Sequence, residues 1–176
     1  MNATTADINY SERVEQGIRA ESQLIQALAR RGIKIQASTF NEDMYEKIDA
    51  WITDKNGKRH SVQIKYRENG TDIIFEIIKD IRVPLIGRDM QCVAEYYLLS
   101  TKLGDTYLFH ADPIKTFAKQ LMETWRSEWT STANHFWNGR GWEMKKTVDR
   151  ENGKSKLMGY FRPTLFNVIV QWKDLI

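Results

Sequence analysis

The fold is decided by residues 47–67, which read KIDAWITDKNGKRHSVQIKYR. Apolar and polar side chains alternate on both sides of Asn56-Gly57, and this period of two is typical of β-strands. An Asn-Gly pair between two alternating segments is the strongest short-range signal for a hairpin turn. The sequence therefore predicts an antiparallel hairpin with strands at residues 45–54 and 60–67.

Polar side chains occupy positions of this hairpin where packing is expected. Asp49 lies in a strand that otherwise contains Ile, Ala, Trp and Ile. Gln63 and Lys65 lie two residues apart in the second strand, so their side chains point to the same face. Because the turn brings the strands together, the three groups are expected to lie close to one another. The alternative is an edge Asp49 paired with a lysine, beside a solvated strand face.

A long helix is predicted before the hairpin. Ser11 is a suitable N-cap, and Gly32 follows two arginines, which is a typical end signal. The apolar stripe between these ends consists of Val14, Ile18, Ile25 and Leu28. Glu21 lies in the middle of the stripe, where a carboxylate is costly unless a cation or a metal ion meets it. A kinked or partly exposed helix with Glu21 at its rim is the alternative.

The remaining pattern predicts an α/β (α+β) fold with a central mixed sheet flanked by helices. Further elements are expected as strands at residues 32–40, 71–78, 94–100 and 106–110, a helix from Asp112 to 125 or 129, and antiparallel strands at 140–148, 157–161 and 164–172. Neither an internal repeat nor a linker divides the chain. We therefore expect one domain over residues 1–176, with a core at 11–125 and a basic, Trp-rich extension at 126–176.

Composition excludes several classes of protein. The chain has 176 residues, of which 41% are hydrophobic and 28% charged, as in globular domains. A single cysteine, Cys92, excludes an intramolecular disulfide and a cysteine-rich zinc module. No apolar run reaches the ~18 residues of a membrane span, and the first residues lack the apolar segment of a secretory signal. We therefore expect a cytoplasmic protein without a membrane partner.

Basic residues are concentrated near the end of the chain. The whole chain carries 26 Lys and Arg against 23 Asp and Glu, whereas residues 138–162 carry seven basic and three acidic residues. Five of the six tryptophans also lie in the last third. Such a segment suits a polyanion, because cations neutralise phosphates and rings stack on bases. A solvated hairpin with its aromatic residues packed beneath is the alternative.

The polar residues of the helix and the hairpin form a set with a defined chemistry. Glu21, Asp49 and the Gln63 amide offer hard oxygen ligands of the kind that Mg²⁺ prefers. Lys65 adds a cation beside them. Phosphodiester hydrolysis uses such a set, because a metal ion polarises the phosphate and a fixed cation stabilises the charge that develops in the transition state.

The same residues resemble the central motif of the PD-(D/E)XK nuclease superfamily, which has the restriction-endonuclease-like fold. Asp49 corresponds to the metal-binding Asp of one strand, Gln63-Ile64-Lys65 to the triplet of the adjacent strand, and Glu21 to an acid of the preceding helix. Ile48 stands where the motif has proline. Gln63 stands where the triplet commonly has an acid, a variant found in certain intron-encoded and transposon-associated nucleases.

This resemblance implies a DNA endonuclease of the homing or restriction type that depends on Mg²⁺, with Mn²⁺ as a substitute. Its catalytic residues would be Glu21, Asp49, Gln63 and Lys65. The metal ion would be held by Glu21, Asp49, the Gln63 oxygen and the Ile64 carbonyl, while Lys65 would orient the attacking water. The expected contacts to the DNA backbone are Tyr66, Arg67, Arg140, Lys145, Lys146, Lys154 and Lys156. A homodimer or higher oligomer, encoded by a phage or a mobile element, completes this expectation.

Three alternatives remain at the level of sequence. A Holliday-junction resolvase or an exonuclease would use the same residues. A catalytically degenerate module would bind DNA without cutting it, because the triplet lacks its acid. An unrelated α+β binding protein would use Glu21 and Lys65 as an internal ion pair.

Overall fold

The structure is a computed structural model of the chain and describes residues 5–67, 72–82, 85–102, 104–128, 135–137, 142–148, 153–161 and 169–170. The helices are α1 (Thr5–Arg30), α2 (Arg88–Gln91) and α3 (Ala111–Glu128). The strands are β1 (Ile35–Ala37), β2 (Ala50–Thr53), β3 (Arg59–Arg67), β4 (Ile73–Asp80), β5 (Leu85–Ile86), β6 (Tyr96–Thr101), β7 (Thr106–His110), β8 (His135–Trp137), β9 (Trp142–Val148), β10 (Ser155–Phe161) and β11 (Ile169–Val170). The predicted α/β class with a central mixed sheet is confirmed.

Helix α1 is longer than predicted at its start. It begins at Thr5, so the expected N-cap at Ser11 is wrong, whereas its end before Gly32 is confirmed (φ 84°). Among the α1 side chains whose burial is described, Leu24 and Leu28 are buried, whereas Ile18 is 59% exposed. Ile18 of the predicted apolar stripe is therefore not part of the core.

The predicted hairpin is present, but its first strand is shorter. Strands β2 and β3 pair antiparallel, with Ala50 opposite Val62. Residues 45 and 46, which the sequence predicts in the strand, belong instead to a π-helical turn at Glu42–Glu46. The Glu42 carboxylate accepts a hydrogen bond from the Thr39 N–H (2.6 Å) at the start of this turn. Asp49 consequently lies immediately before β2 and not inside it.

Two sheets make up the fold. The first has the order β1-β2-β3-β6-β7-β11, and its β3–β6 pair is parallel while its other pairs are antiparallel. The second has the order β5-β4-β10-β9-β8 and is antiparallel throughout. Parallel neighbours need a crossover connection. Here the crossover from β3 to β6 contains β4, β5 and α2, and strands β8, β9 and β10 extend the sheet that β4 begins.

The first sheet separates two apolar clusters. On the α1 side, Leu24 and Leu28 pack with Ile52, Val62 and Leu98. On the other side the cluster consists of residues from both sheets and α3, with Phe75, Tyr97, Phe109, Ile114, Leu157 and Phe161 among its buried members. Both faces of the central strands are therefore covered, which explains why β3 is buried from His60 to Ile64 and β6 over its whole length.

None of the described helices combines the length and the apolar character that a membrane crossing requires.

Candidate functional site

A cavity of about 560 Å³ contains the polar residues that the sequence singles out. Glu21 from α1, Asp49 before β2, and Gln63, Ile64 and Lys65 from β3 all line it. The second sheet and α2 form the rest of its wall through Ile74, Glu76, Lys79, Arg88, Asp89, Lys156 and Met158. The structure thus brings together five residues from three separate segments.

Asp49 is fixed at the end of the β2–β3 ladder by two hydrogen bonds. Its N–H donates to the Val62 carbonyl (2.9 Å), and its Oδ2 accepts from the N–H of Ile64 (2.6 Å). The N–H and C=O of one strand residue point to the same edge of the strand. The Ile64 carbonyl therefore faces the side on which the Asp49 carboxylate lies.

The two acids lie in surroundings that disfavour their charged forms. Burial raises the pKa of Asp49 to about 6, against the opposing effect of its hydrogen bond from Ile64. Burial and the negative charge of Asp49 raise the pKa of Glu21 to about 7. A cation close to both carboxylates would favour their ionised forms.

Gln63 carries a buried oxygen without a partner. The residue is 3% exposed, and its Oε1 atom meets no hydrogen-bond donor in the part of the chain that the structure describes. An unpaired buried polar atom costs about 1–3 kcal/mol. Because Gln63 lines the cavity that also contains Glu21 and Asp49, a cation there would supply the missing partner. The Gln63 oxygen makes the site suitable for Mg²⁺, because this ion accepts neutral oxygen ligands as well as charged ones.

Lys65 is held by a residue that the sequence analysis misses. Asp89 is 5% exposed, accepts a hydrogen bond from Lys65 Nζ through Oδ1, and accepts another from the Glu76 N–H through Oδ2 (2.6 Å). The Tyr97 hydroxyl donates to the Asp89 carbonyl (3.2 Å). No ion pair between Lys65 and Glu21 is found among the described residues. The Lys65 ammonium is therefore positioned by Asp89.

Asp89 has only a faint signal in the sequence. It belongs to α2, which is four residues long and too short for an apolar period to be recognised. The preceding Gly87 lies so close to β4 that a Cβ there would collide with the Glu76 carbonyl. A glycine marks such close approaches of backbone, and it is the signal that could have directed attention to this segment.

Acidic and basic side chains are balanced around the cavity. Its acids are Glu21, Asp49, Glu76 and Asp89, and its bases are Lys65, Lys79, Arg88 and Lys156. Within the described ranges, no three His, Cys, Asp or Glu side chains converge as a metal-binding group. A metal ion here would therefore rely on two carboxylates supplemented by the Gln63 amide and the Ile64 carbonyl.

The lysines of β9 and β10 divide between two faces of the second sheet. Lys145 lies opposite Met158, which lines the cavity. The Lys145 Nζ atom also lies 5.1 Å from the centre of the Tyr160 ring. Lys146 lies opposite Leu157, whose side chain is buried in the core. Successive residues of a strand point to opposite faces. Lys145 therefore shares the cavity side with Lys156, which lines the cavity and pairs with Glu76 (3.3 Å).

The other residues expected to contact DNA lie in different places. Lys154 directly precedes β10, and Tyr66 is 43% exposed near the end of β3. Arg67 donates a hydrogen bond through Nη2 to Asp72 (2.9 Å). Arg140 lies outside the described residues.

Neither a protein family, nor a curated protein, nor a solved structure matches this chain.

Proposed function

We propose that the protein is a Mg²⁺-dependent DNA endonuclease whose active site is the cavity around Asp49. One observation carries the proposal: Glu21 of α1, Asp49 before β2, the unpaired buried oxygen of Gln63 and the ammonium of Lys65 meet in one cavity. This combination suits a hard divalent cation beside a phosphate. The resemblance of the same residues to the PD-(D/E)XK motif supports it.

The oxygen atoms of the site would hold the cation. When bound, Mg²⁺, or Mn²⁺ in its place, supplies Lewis-acid polarisation of the scissile phosphate. Asp49 is the principal ligand, because two hydrogen bonds fix its position. Glu21, the Gln63 Oε1 atom and the Ile64 carbonyl complete the contribution of the protein.

Lys65 acts on the substrate side of the cavity. Asp89 holds its ammonium group in place and is buried, so the lysine does not need to be ordered when DNA binds. The remaining N–H bonds of Lys65 donate to a phosphate oxygen and to the attacking water. The fixed ammonium group of Lys65 thus stabilises the charge on the phosphate, which lowers the barrier to hydrolysis.

DNA is the proposed partner, and the cytoplasm is the proposed location. The cavity side of the second sheet carries Lys145 and Lys156, which suit a phosphate backbone. We also propose a homodimer or higher oligomer, since two sites are then available for the two DNA strands.

Supercoiled plasmid provides the test of this function. We expect nicked and linear products in Mg²⁺ or Mn²⁺ and intact plasmid in EDTA. An exonuclease would degrade only linear DNA, and a junction resolvase would cut only four-way junctions. A degenerate module would retard DNA in a gel without cutting it. Intact DNA of every form, without retardation, would reject the proposal.

Lys145→Ala should weaken DNA binding more than Lys146→Ala. Lys145 lies on the cavity side of β9, whereas Lys146 lies opposite the buried Leu157. Losing one phosphate contact reduces the slope of log K against log salt by about 0.9. Fluorescence anisotropy of a labelled duplex in EDTA, repeated over a range of salt concentrations, measures this slope. Identical slopes for the two variants would show that the cavity side of β9 does not contact the backbone.

A further inference from the structure

A second cavity, of about 270 Å³, lies on the α1 side of the first sheet. It is bounded by the C-terminal half of α1, the ends of β3 and β6, and the turn between β6 and β7. It shares no lining residue with the cavity around Asp49. The second cavity is therefore distinct from the cavity around Asp49.

The inside of this second cavity is suited to a planar apolar group. Leu24 and Leu28, which are both buried, belong to its lining. The ring of Tyr66 is 43% exposed and lies beside Ser100 in the parallel β3–β6 register. An exposed aromatic ring next to an apolar surface is the arrangement on which nucleic-acid bases stack.

The same cavity has a positive lining. Arg31 and Lys102 line it, and no acidic side chain does so among the described residues. The turn that carries Lys102 is fixed, since the Lys102 N–H donates to the Arg67 carbonyl (3.0 Å) and the Gly104 N–H to the Thr101 carbonyl (3.0 Å). The cavity around Asp49 differs in having four acids in its wall. The described lining of the second cavity therefore carries two cations and no acid that would repel an anion.

We propose that the second cavity binds one nucleotide of the DNA strand beside the position of cleavage. The base stacks on Tyr66 above Leu24, and the phosphate lies between Arg31 and Lys102. Ala20 lines the second cavity and the next residue, Glu21, lines the cavity around Asp49, so the two cavities adjoin at α1. Tyr66 and Lys65 line the same two cavities from opposite faces of β3. A DNA strand that passes the end of β3 therefore reaches both. The proposal rests on the proposed function in one respect, namely that DNA supplies the nucleotide.

Thymidine 5′-monophosphate is the probe, titrated calorimetrically in EDTA so that neither a metal ion nor cleavage contributes. We expect it to bind more tightly than thymidine or inorganic phosphate alone. Tyr66→Ala and Lys102→Ala should each weaken it by at least about tenfold. Lys34→Ala is the matched control, since Lys34 is exposed and does not line this cavity. The Lys34→Ala variant should bind thymidine 5′-monophosphate as tightly as the unaltered protein does.

Backbone amide shifts of the unaltered protein give a second measurement that does not depend on any variant. The nucleotide should change the NMR chemical shifts of the Lys102 and Gly104 amides. A short oligothymidylate should displace the nucleotide. Absence of binding, equal affinity in all variants, or shifts elsewhere would overturn the proposal. Failure of the oligonucleotide to compete would overturn its assignment to DNA. Because cleavage is not involved, a protein that binds the nucleotide here but never cuts plasmid would lose only the proposed function.

Discussion

Asp49→Ala should reduce plasmid cleavage in Mg²⁺ by at least about a hundredfold, because it removes the carboxylate that the Ile64 N–H holds in the cavity. Lys65→Ala should reduce cleavage by a similar factor, about a hundred- to a thousandfold, since it removes the donor that faces the phosphate. The rate is measured as loss of supercoiled plasmid under single-turnover conditions. The loss in Lys65→Ala should persist at saturating Mg²⁺, because this variant keeps every proposed metal ligand.

Stability has to be separated from catalysis in the Lys65 variant. Removing Lys65 leaves the buried Asp89 without its cation, and breaking a buried ion pair costs about 3–5 kcal/mol. The double variant Lys65→Ala, Asp89→Asn removes both charges and should recover much of the stability without recovering cleavage.

Asp112→Ala and Lys119→Ala are matched controls, because both residues are exposed on α3 and line neither cavity. These variants should cut at the normal rate. Full activity in a folded Asp49→Ala or Lys65→Ala protein would remove the assigned site.

Gln63 should be the residue at which one substitution weakens metal binding and another strengthens it. Gln63→Ala removes the unpaired oxygen and should lower both metal affinity and cleavage by at least about tenfold. Gln63→Glu keeps the shape of the side chain and adds a charged oxygen, so it should bind Mn²⁺ about tenfold more tightly without DNA. It should also retain measurable cleavage.

Calorimetric titration of Mn²⁺ into the two Gln63 variants and the unaltered protein measures these affinities. Gln91→Ala and Gln91→Glu serve as controls, since Gln91 is exposed on α2 and lies outside the cavity around Asp49. Unchanged metal affinity in Gln63→Glu, together with normal cleavage by Gln63→Ala, would show that the amide is not a ligand.

The sequence can predict most of the candidate site because local signals specify it. Asn56-Gly57 determines the turn, and alternation then determines which side chains share a face. The register that follows, with Ala50 opposite Val62, brings Asp49 next to Ile64. Glu21 is found from its place in the helical stripe, although Ile18 of that stripe is exposed.

The remaining parts of the fold depend on pairings between residues far apart in the sequence. Nothing in the apolar run at residues 73–80 indicates that β4 leaves the first sheet, and only its pairing with β10 shows it. Asp89 becomes part of the site through that same arrangement, since its carboxylate accepts the N–H of Glu76 in β4. The shorter β2 has a local cause, the hydrogen bonds between Thr39 and Glu42, which compete with strand formation.

The central claim is that the cavity around Asp49 holds a divalent cation, and Mn²⁺ added to ¹⁵N-labelled protein without DNA tests it most directly. The paramagnetic ion broadens only nearby amide signals, so no DNA substrate has to be known. We predict that the amide signals of Asp49 and Ile64 broaden at lower Mn²⁺ concentrations than those of Lys102 and Gly104 in the second cavity, and that Asp49→Ala abolishes the effect. Broadening centred elsewhere, or identical broadening in Asp49→Ala, would contradict the claim.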